Sequence, residues 1–187
     1  MSKEERELLV YFSEIRGKLV CVLGNHDPPP KDSIWRFIGV RPVDKFVWEA
    51  GGRKICVMHG HQFDPFHPIF DIPFANRISL VIIRFVHKMD KQGRHIAKWM
   101  DQHHEKFSIR IANRAKRYAR RHRRFDVIIC GHAHKAKHDK SVTIRGRRMP
   151  EYLNCGCWNC NTCSLATVDE DGQAELDHLL PALGVVH

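Results

Sequence analysis

Apolar and polar positions alternate with different periods along the chain. In residues 3–16, Leu8, Leu9, Phe12 and Ile15 share one face of a predicted helix, which Gly17 ends. The five apolar residues "LVCVL" (19–23) then predict a buried strand. It runs into Gly24-Asn25-His26-Asp27 and is stopped by Pro28, Pro29 and Pro30. "FVWEAGGRKICVMHGHQF" reads as a hairpin, two apolar runs around Gly51-Gly52. From 66 to 125 the period is helical. "DVIIC" is a further short apolar strand, and after Ser141 the segments "SVTIR", "EYLNC", "CSLATV" and "AELDHL" predict short strands joined by turns such as Asp171-Gly172. One feature recurs. "LVCVL" runs into GNHD, "ICVM" into HGHQFD, and "DVIIC" into GHAH. Polar groups at the carboxyl ends of neighbouring strands converge on one edge of a sheet.

Composition narrows the class. With 187 residues and 43% hydrophobic content, the chain is expected to be one globular domain. No run reaches the roughly 18–20 uncharged apolar residues of a membrane span. The nearest, "ISLVIIRFV" at 78–86, is short and contains Arg84. The start, "MSKEERELLVYF", is charged and amphipathic with no signal-peptide profile, so a cytoplasmic protein is expected. The net charge of +10, from 31 Lys and Arg against 21 Asp and Glu, favours an anionic partner without choosing among nucleic acid, phospholipid and phosphorylated metabolite. Of the seven cysteines, Cys21, Cys56 and Cys130 lie in apolar runs and read as small core residues. The odd total argues against a disulfide framework.

The histidine motifs carry the candidate chemistry. The side-chain carbonyl of Asn25 suits a hard divalent cation, and the imidazoles of His59, His132 and His134 supply nitrogen ligands. On an extended loop the two histidines of GHAH point to different sides and can serve two adjacent metals. Gly24, Gly60 and Gly131 permit a sharp turn beside each ligand. Two adjacent metals clamp an in-line phosphoryl displacement. Taken singly, GNHD is a turn after a strand and HxH a surface loop. It is the combination, each motif following an apolar strand, that points to a site.

The order GNHD (24–27), HGHQFD (59–64), GHAH (131–134) resembles the last three elements of the calcineurin-like metallophosphoesterase superfamily. That pattern runs D-x-H, G-D-x-x-D, G-N-H-[DE], a histidine after a strand, then G-H-x-H. The helical stretch before GHAH and the tail "YLNCGCW" followed by Thr162 look most like the branch of UDP-2,3-diacylglucosamine hydrolases. The resemblance covers about residues 18–170 and implies an α/β/β/α sandwich with 66–125 as a helical insertion or cap. It also implies a dinuclear divalent centre, manganese by expectation. Asn25, His59 and His132 would bind one ion and His134 the other. His26 would contact the scissile phosphate and protonate the leaving oxygen, and Asp27 would orient His26. The reaction implied is hydrolysis of a phosphodiester or pyrophosphate bond. The substrate would be a phosphorylated small molecule or a nucleotide-linked lipid, at its narrowest a UDP-linked acylated glucosamine of lipid A synthesis.

Three departures stand out. His61 takes the place of the branch's aspartate in HGD, and Cys157 that of the aspartate in N-x-G-D-W. Nothing before Leu19 matches D-x-H or G-D-x-x-D. The expectation is therefore one partial domain over 1–187, an N-terminally truncated hydrolase in which two metals are held only in an intact homologue. Its alternative is an inactive relative that binds metal or anionic lipid.

Two further clusters remain. From Lys106 to Phe125 there is no acidic residue, and Arg110, Arg114, Arg117, Arg121 and Arg124 form one helical stripe beside Phe107, Ile111, Ala115 and Tyr118. The plain expectation is a packed helix with a solvated basic face. The functional one is a cap that binds substrate or anionic lipid headgroups at the inner membrane surface. A nucleic-acid-binding module ranks lower, because one aromatic near the centre and no recognised motif accompany the run. "CGCWNCNTC" places Cys155, Cys157, Cys160 and Cys163 within nine residues. Thiolates so spaced can hold zinc or an iron–sulfur cluster, with reduced structural thiols as the default.

Overall fold

The computed structural model describes residues 3–64, 94–123, 125–144, 146–156 and 163–179. Helix α1 (Lys3–Glu14) leads through a short 3-10 turn to the GNHD segment. Helix α2 (Ser33–Ile38) follows the prolines. The sequence pattern did not announce it, but its ends are well made: the Asp32 carboxylate accepts the Ile34 N–H at 3.0 Å, and Gly39 closes it in the left-handed region. Strands β1 (Lys45–Ala50) and β2 (Arg53–Met58) pair antiparallel around Gly51-Gly52, both at positive φ, as the hairpin pattern predicts. Helix α3 (Arg94–Tyr118) runs into one π-helical turn, Ala119–Arg123. Then come β3 (Val127–Cys130), β4 (Ala136–Asp139), the two-residue strands β5 (Thr143–Ile144) and β6 (Arg147–Arg148), β7 (Glu151–Cys155), β8 (Cys163–Val168) and β9 (Ala174–Leu179).

The central sheet has the order β1-β2-β3-β7-β4. Its middle strands β2, β3 and β7 are parallel, and β1 and β4 pair antiparallel at the edges. Parallel strands covered on both faces read as unbroken apolar runs, which is why "VIIC" and "ICVM" lack alternation. Ile55, Val127, Ile129 and Leu153 face the β8–β9 hairpin through Ala166, Val168 and Leu176. Cys56, Met58, Ile128, Cys130 and Tyr152 face α3 through Ile111, Ala112, Ala115 and Ala119. Helix, mixed sheet and hairpin thus stack as layers of the α/β class expected from the sequence. Asp126 aligns the strand starts: its carboxylate accepts the Lys54 N–H at 3.0 Å and its carbonyl the Glu151 N–H at 2.9 Å.

One expected element is corrected. Leu19–Leu23 is not a buried strand. It makes a single parallel bridge, Val22 to Val43, with Leu23 N–H donating to Val43 O and Val43 N–H to Cys21 O, each at 2.9 Å. Val20 is exposed and Cys21, Val22 and Leu23 are half-buried. Apolar character permits a strand, but a ladder needs a neighbour at every other residue, and among the described residues this segment has one bridge, with two hydrogen bonds to Val43. The rest of the tail forms the strands expected, with Asp169–Gly172 turning between β8 and β9. No described helix is long and apolar enough to cross a membrane.

Candidate functional site

The site forms where β2 and β3 end. Their parallel register sets Val57 beside Ile129, so His59 and Gly131-His132 leave the sheet side by side, and Gly131 N–H donates to His59 O at 2.9 Å. The GNHD loop reaches them from the other side. His59 Nε2 lies 3.1 Å from Asn25 Oδ1. An amide oxygen only accepts, so His59 donates from Nε2 here. Gly24 makes the approach possible, because a Cβ on it would lie 2.9 to 3.2 Å from the ring atoms of His59.

Asn25, His26, His59, Asp64, Phe107, His132, Ala133 and His134 line one cleft of about 250 Å³. Every histidine and asparagine assigned from the motifs therefore meets in one place. The Asn25 amide nitrogen donates to His26 Nε2 at 3.2 Å, and His26 itself is exposed. Asp27 Oδ2 accepts Gly24 N–H at 2.6 Å and so braces the loop that presents His26. Two larger cavities lie elsewhere, and neither includes a motif residue.

Three groups escaped the sequence. Asp64, the last residue of HGHQFD, accepts from His132 Nε2 at 3.2 Å. A carboxylate five residues past a candidate ligand histidine was the available signal. Phe107, read as part of the apolar stripe of α3, also packs its ring 6.0 Å from His132. Asn154, fully buried on β7, donates to Gly131 O and to Tyr152 Oη and accepts Gly156 N–H at 2.9 Å. It clamps the GHAH loop to the sheet from below. That loop is strained: His132 and His134 both have positive φ, 60° and 54°.

Electrostatics favour a neutral imidazole at the centre. Burial, then the neighbouring rings of His132 and His61, push His59 down to about 4, against the opposing pull of Asp27. A neutral ring has a lone pair to give a cation. Among the described residues no group of three His, Cys, Asp or Glu side chains is arranged to hold a metal ion by itself. The oxygen of Asn25 completes the donor set: with it, one amide oxygen and two imidazoles meet, each held by a hydrogen bond that a cation would replace. The donor types and their convergence fit a divalent metal.

The other two clusters fare differently. On α3, Ile111, Ala112, Ala115 and Ala119 are buried, while Arg110, Arg114, Arg117 and Arg121 face outward. Arg114 Nη1 donates to Phe63 O at 3.3 Å, which ties the basic row to the loop before Asp64. Arg124 lies outside the described residues. Cys155 and Cys163 are free thiols at the end of β7 and the start of β8, where Ser164 Oγ donates to Cys155 O at 2.6 Å. Cys157, Cys160 and Thr162 lie outside the described residues, as do 66–93 of the expected insertion.

The sequence pattern of the calcineurin-like phosphoesterase family matches residues 2–136. The chain is similar in structure to a novel archaeal phosphodiesterase, at 12% identity over 92% of this chain and 75% of that one, with a TM-score of 0.47. It is similar to a predicted phosphoesterase of Streptococcus pneumoniae TIGR4, at 19% identity, 94% and 87% coverage, and a TM-score of 0.37. It is also similar to a single mutant of Vps29 from Entamoeba histolytica, at 15% identity, 91% and 87% coverage, and a TM-score of 0.35. No curated protein matches the sequence.

Proposed function

The chain belongs to the calcineurin-like phosphoesterase family, and on that premise we propose that it hydrolyses a phosphodiester or pyrophosphate bond in the cleft of Asn25, His26, His59, His132 and His134. One observation carries this: three motifs more than thirty residues apart in sequence place their polar side chains in a single cleft, with His59 and Asn25 3.1 Å apart. Asn25, His59 and His132 would hold one divalent ion, and His134 would face a second. Such ions, when bound, supply Lewis acidity at the phosphoryl group and activate water near neutral pH.

The chain's own residues do the rest. Exposed His26 stands at the mouth, where its ring can contact the scissile phosphate and hand a proton to the leaving oxygen. Asp27 holds the loop rigid through Gly24 and so sets the position of His26. Phe107 packs against the His132 ring, and Asp64 accepts from the Nε2 that an ion would take. For substrate, the resemblance of the motifs and the outward basic row of α3, the helix that carries Phe107 into the cleft, support a phosphorylated small molecule or nucleotide-linked lipid, narrowed to a UDP-linked acylated glucosamine. A lipid substrate would bring the protein to an anionic membrane face, with Arg110, Arg117 and Arg121 outward.

The test is turnover by purified chain supplied with manganese or zinc. Bis-p-nitrophenyl phosphate serves as a general diester and UDP-2,3-diacylglucosamine as the specific substrate. His132→Ala and Asn25→Ala should each lower turnover by about 100-fold or more. Metal-loaded chain that cleaves neither compound would sink the hydrolase proposal and leave a metal- or anion-binding relative. Cleavage of the diester alone would remove only the glycolipid.

A further inference from the structure

Strand β1 forms one edge of the central sheet. Its hairpin with β2 closes through Gly51 and Gly52, at φ 52° and 69°, a two-residue turn with both residues in the left-handed region. In such a turn the flanking residues, here Ala50 and Arg53, exchange both backbone hydrogen bonds. Backbone groups alternate sides along a strand. Phe46 and Trp48 therefore bond to β2 as Ala50 does, while Lys45, Val47 and Glu49 turn their N–H and C=O outward. Among the described residues no backbone bond from outside the hairpin reaches these three. Edge strands are commonly guarded by proline or by charge of one sign. Lys45–Ala50 has no proline, and its two charges are opposite. Phe46, stacked on Trp48 at 5.3 Å, is 36% exposed.

We propose that β1 pairs with β1 of a second copy of this chain, antiparallel and centred on Val47, so that two chains share one continuous sheet about a twofold axis. The segment Lys45–Glu49 is self-complementary in that register. Val47 falls opposite its own equivalent, Lys45 opposite the second copy's Glu49, and Phe46 opposite its Trp48. The last two pairs occur twice. Opposite charges and aromatic rings facing each other across strands are favourable combinations. The backbone matches as well. Residues 45, 47 and 49 stand in hydrogen-bonded pairs, and Phe46 and Trp48 in the non-bonded pairs between them, where side chains come closest. Lys45 and Glu49 are both exposed and within reach of the second copy. A slip of two residues would set Lys45 opposite Val47 or Gly51 and lose the charge pairs. Ala50 falls opposite Asp44, so the added strand ends one residue short of Val43, where the Leu19–Leu23 segment takes up the edge. A patch that pairs with itself closes on two copies. No β1 residue lines the cleft, so the proposal stands apart from the hydrolase reading.

The experiment is sedimentation equilibrium of the whole chain, under reducing conditions so that cysteines do not cross-link, with the mass read against the 21.8 kDa of one chain. The expected result is a dimer. Lys45→Glu sets glutamate opposite glutamate, and Glu49→Lys sets lysine opposite lysine, each twice per dimer. Either should raise the dimer dissociation constant by about 10-fold or more, and the two together should restore it by exchanging the partners. Circular dichroism checks the fold of all three. Lys45 faces Met58 across the hairpin, so its reversal opposes no charge there. A wild type that stays monomeric up to its solubility limit overturns the proposal. So does a dimer that both single variants keep, because its contact then lies elsewhere, and so does a double variant as weak as the single ones.

Discussion

The cleft owes its geometry to small residues and to strain. Gly24 lets the GNHD loop lie against the ring of His59, and Gly24→Ala would drive a methyl group into that ring. The expected result is a loss of turnover of about 100-fold, the scale of an ångström-sized misplacement of a reacting group. Far-ultraviolet circular dichroism should remain native. Full activity in the alanine variant would show that His59 has room to move. His134 presents the opposite exchange. It is exposed and sits at a φ of 54°, a conformation that costs a non-glycine residue about 1 kcal/mol or more. His134→Gly should therefore raise the thermal midpoint while abolishing hydrolysis, and a lowered midpoint would mean that the loop is not strained. Below both, Asn154→Ala would take from Gly156 N–H and Tyr152 Oη the hydrogen bonds that Asn154 makes to them, while Gly131 O keeps the Ala133 N–H, at a cost of about 1–3 kcal/mol by urea denaturation.

Helix α3 shows how one element serves packing on one side and charge on the other. Its apolar face lies in the core, with Ile111 and Ala115 at 0% exposure. Ile111→Ala should cost about 2–5 kcal/mol, read from the urea midpoint. With that face committed, this part of the helix cannot dip it into a bilayer, and only the basic row remains for an anionic partner. Reversing Arg110, Arg117 and Arg121 to Glu should leave stability nearly unchanged, because surface substitutions fall within about 0.5 kcal/mol each. It should abolish salt-sensitive binding to vesicles containing phosphatidylserine. Retained binding would mean that the row is only a solvated face. Arg114 is left out of the set because its guanidinium holds Phe63 O. The short tail strands find partners close by: β7 lies between β3 and β4, and β8 pairs with β9 across the turn that joins them.

At the scale of the whole molecule, the two ends of the parallel strands have different tasks. The carboxyl ends carry the cleft. At the other end Arg53 bonds Glu151 and Gly172 O, and His138 Nε2 meets Glu151 at 2.6 Å, so that β2, β7, β4 and the β8–β9 turn are tied together. Burial alone would raise the Glu151 carboxyl, but the bonds from Arg53 and His138 outweigh it and hold the group below its ordinary value. Asp139 is similarly held down by Lys116 and Lys137 against its burial. A carboxyl depressed on folding stabilises the fold above its unfolded-state value, and that contribution is lost as the pH falls through the folded-state value. Stability should thus drop below about pH 4, and Glu151→Gln should flatten part of that acid limb. An acid limb identical in the two proteins would assign the loss to other carboxyls.

Local chemistry was enough to read the Gly51-Gly52 hairpin, the apolar runs that became β2 and β3, the short strand that became β7, the apolar face of α3 and the strand-end motifs that bring Asn25, His59, His132 and His134 to one cleft. Turns, helix faces and strand ends are decided by residues a few positions apart. Tertiary structure alone decided the rest. "LVCVL" has the composition of a strand, but a strand exists only where a neighbour supplies hydrogen bonds, and here Val43 supplies two. Asp64 meets His132 across sixty-eight residues of sequence, and Asn154 reaches Gly131 across twenty-three. His61 counted in sequence only as a departure from a pattern. Its place beside two other imidazoles is set by the turn at Gly60 and by the parallel pairing of β2 with β3, which no local pattern encodes.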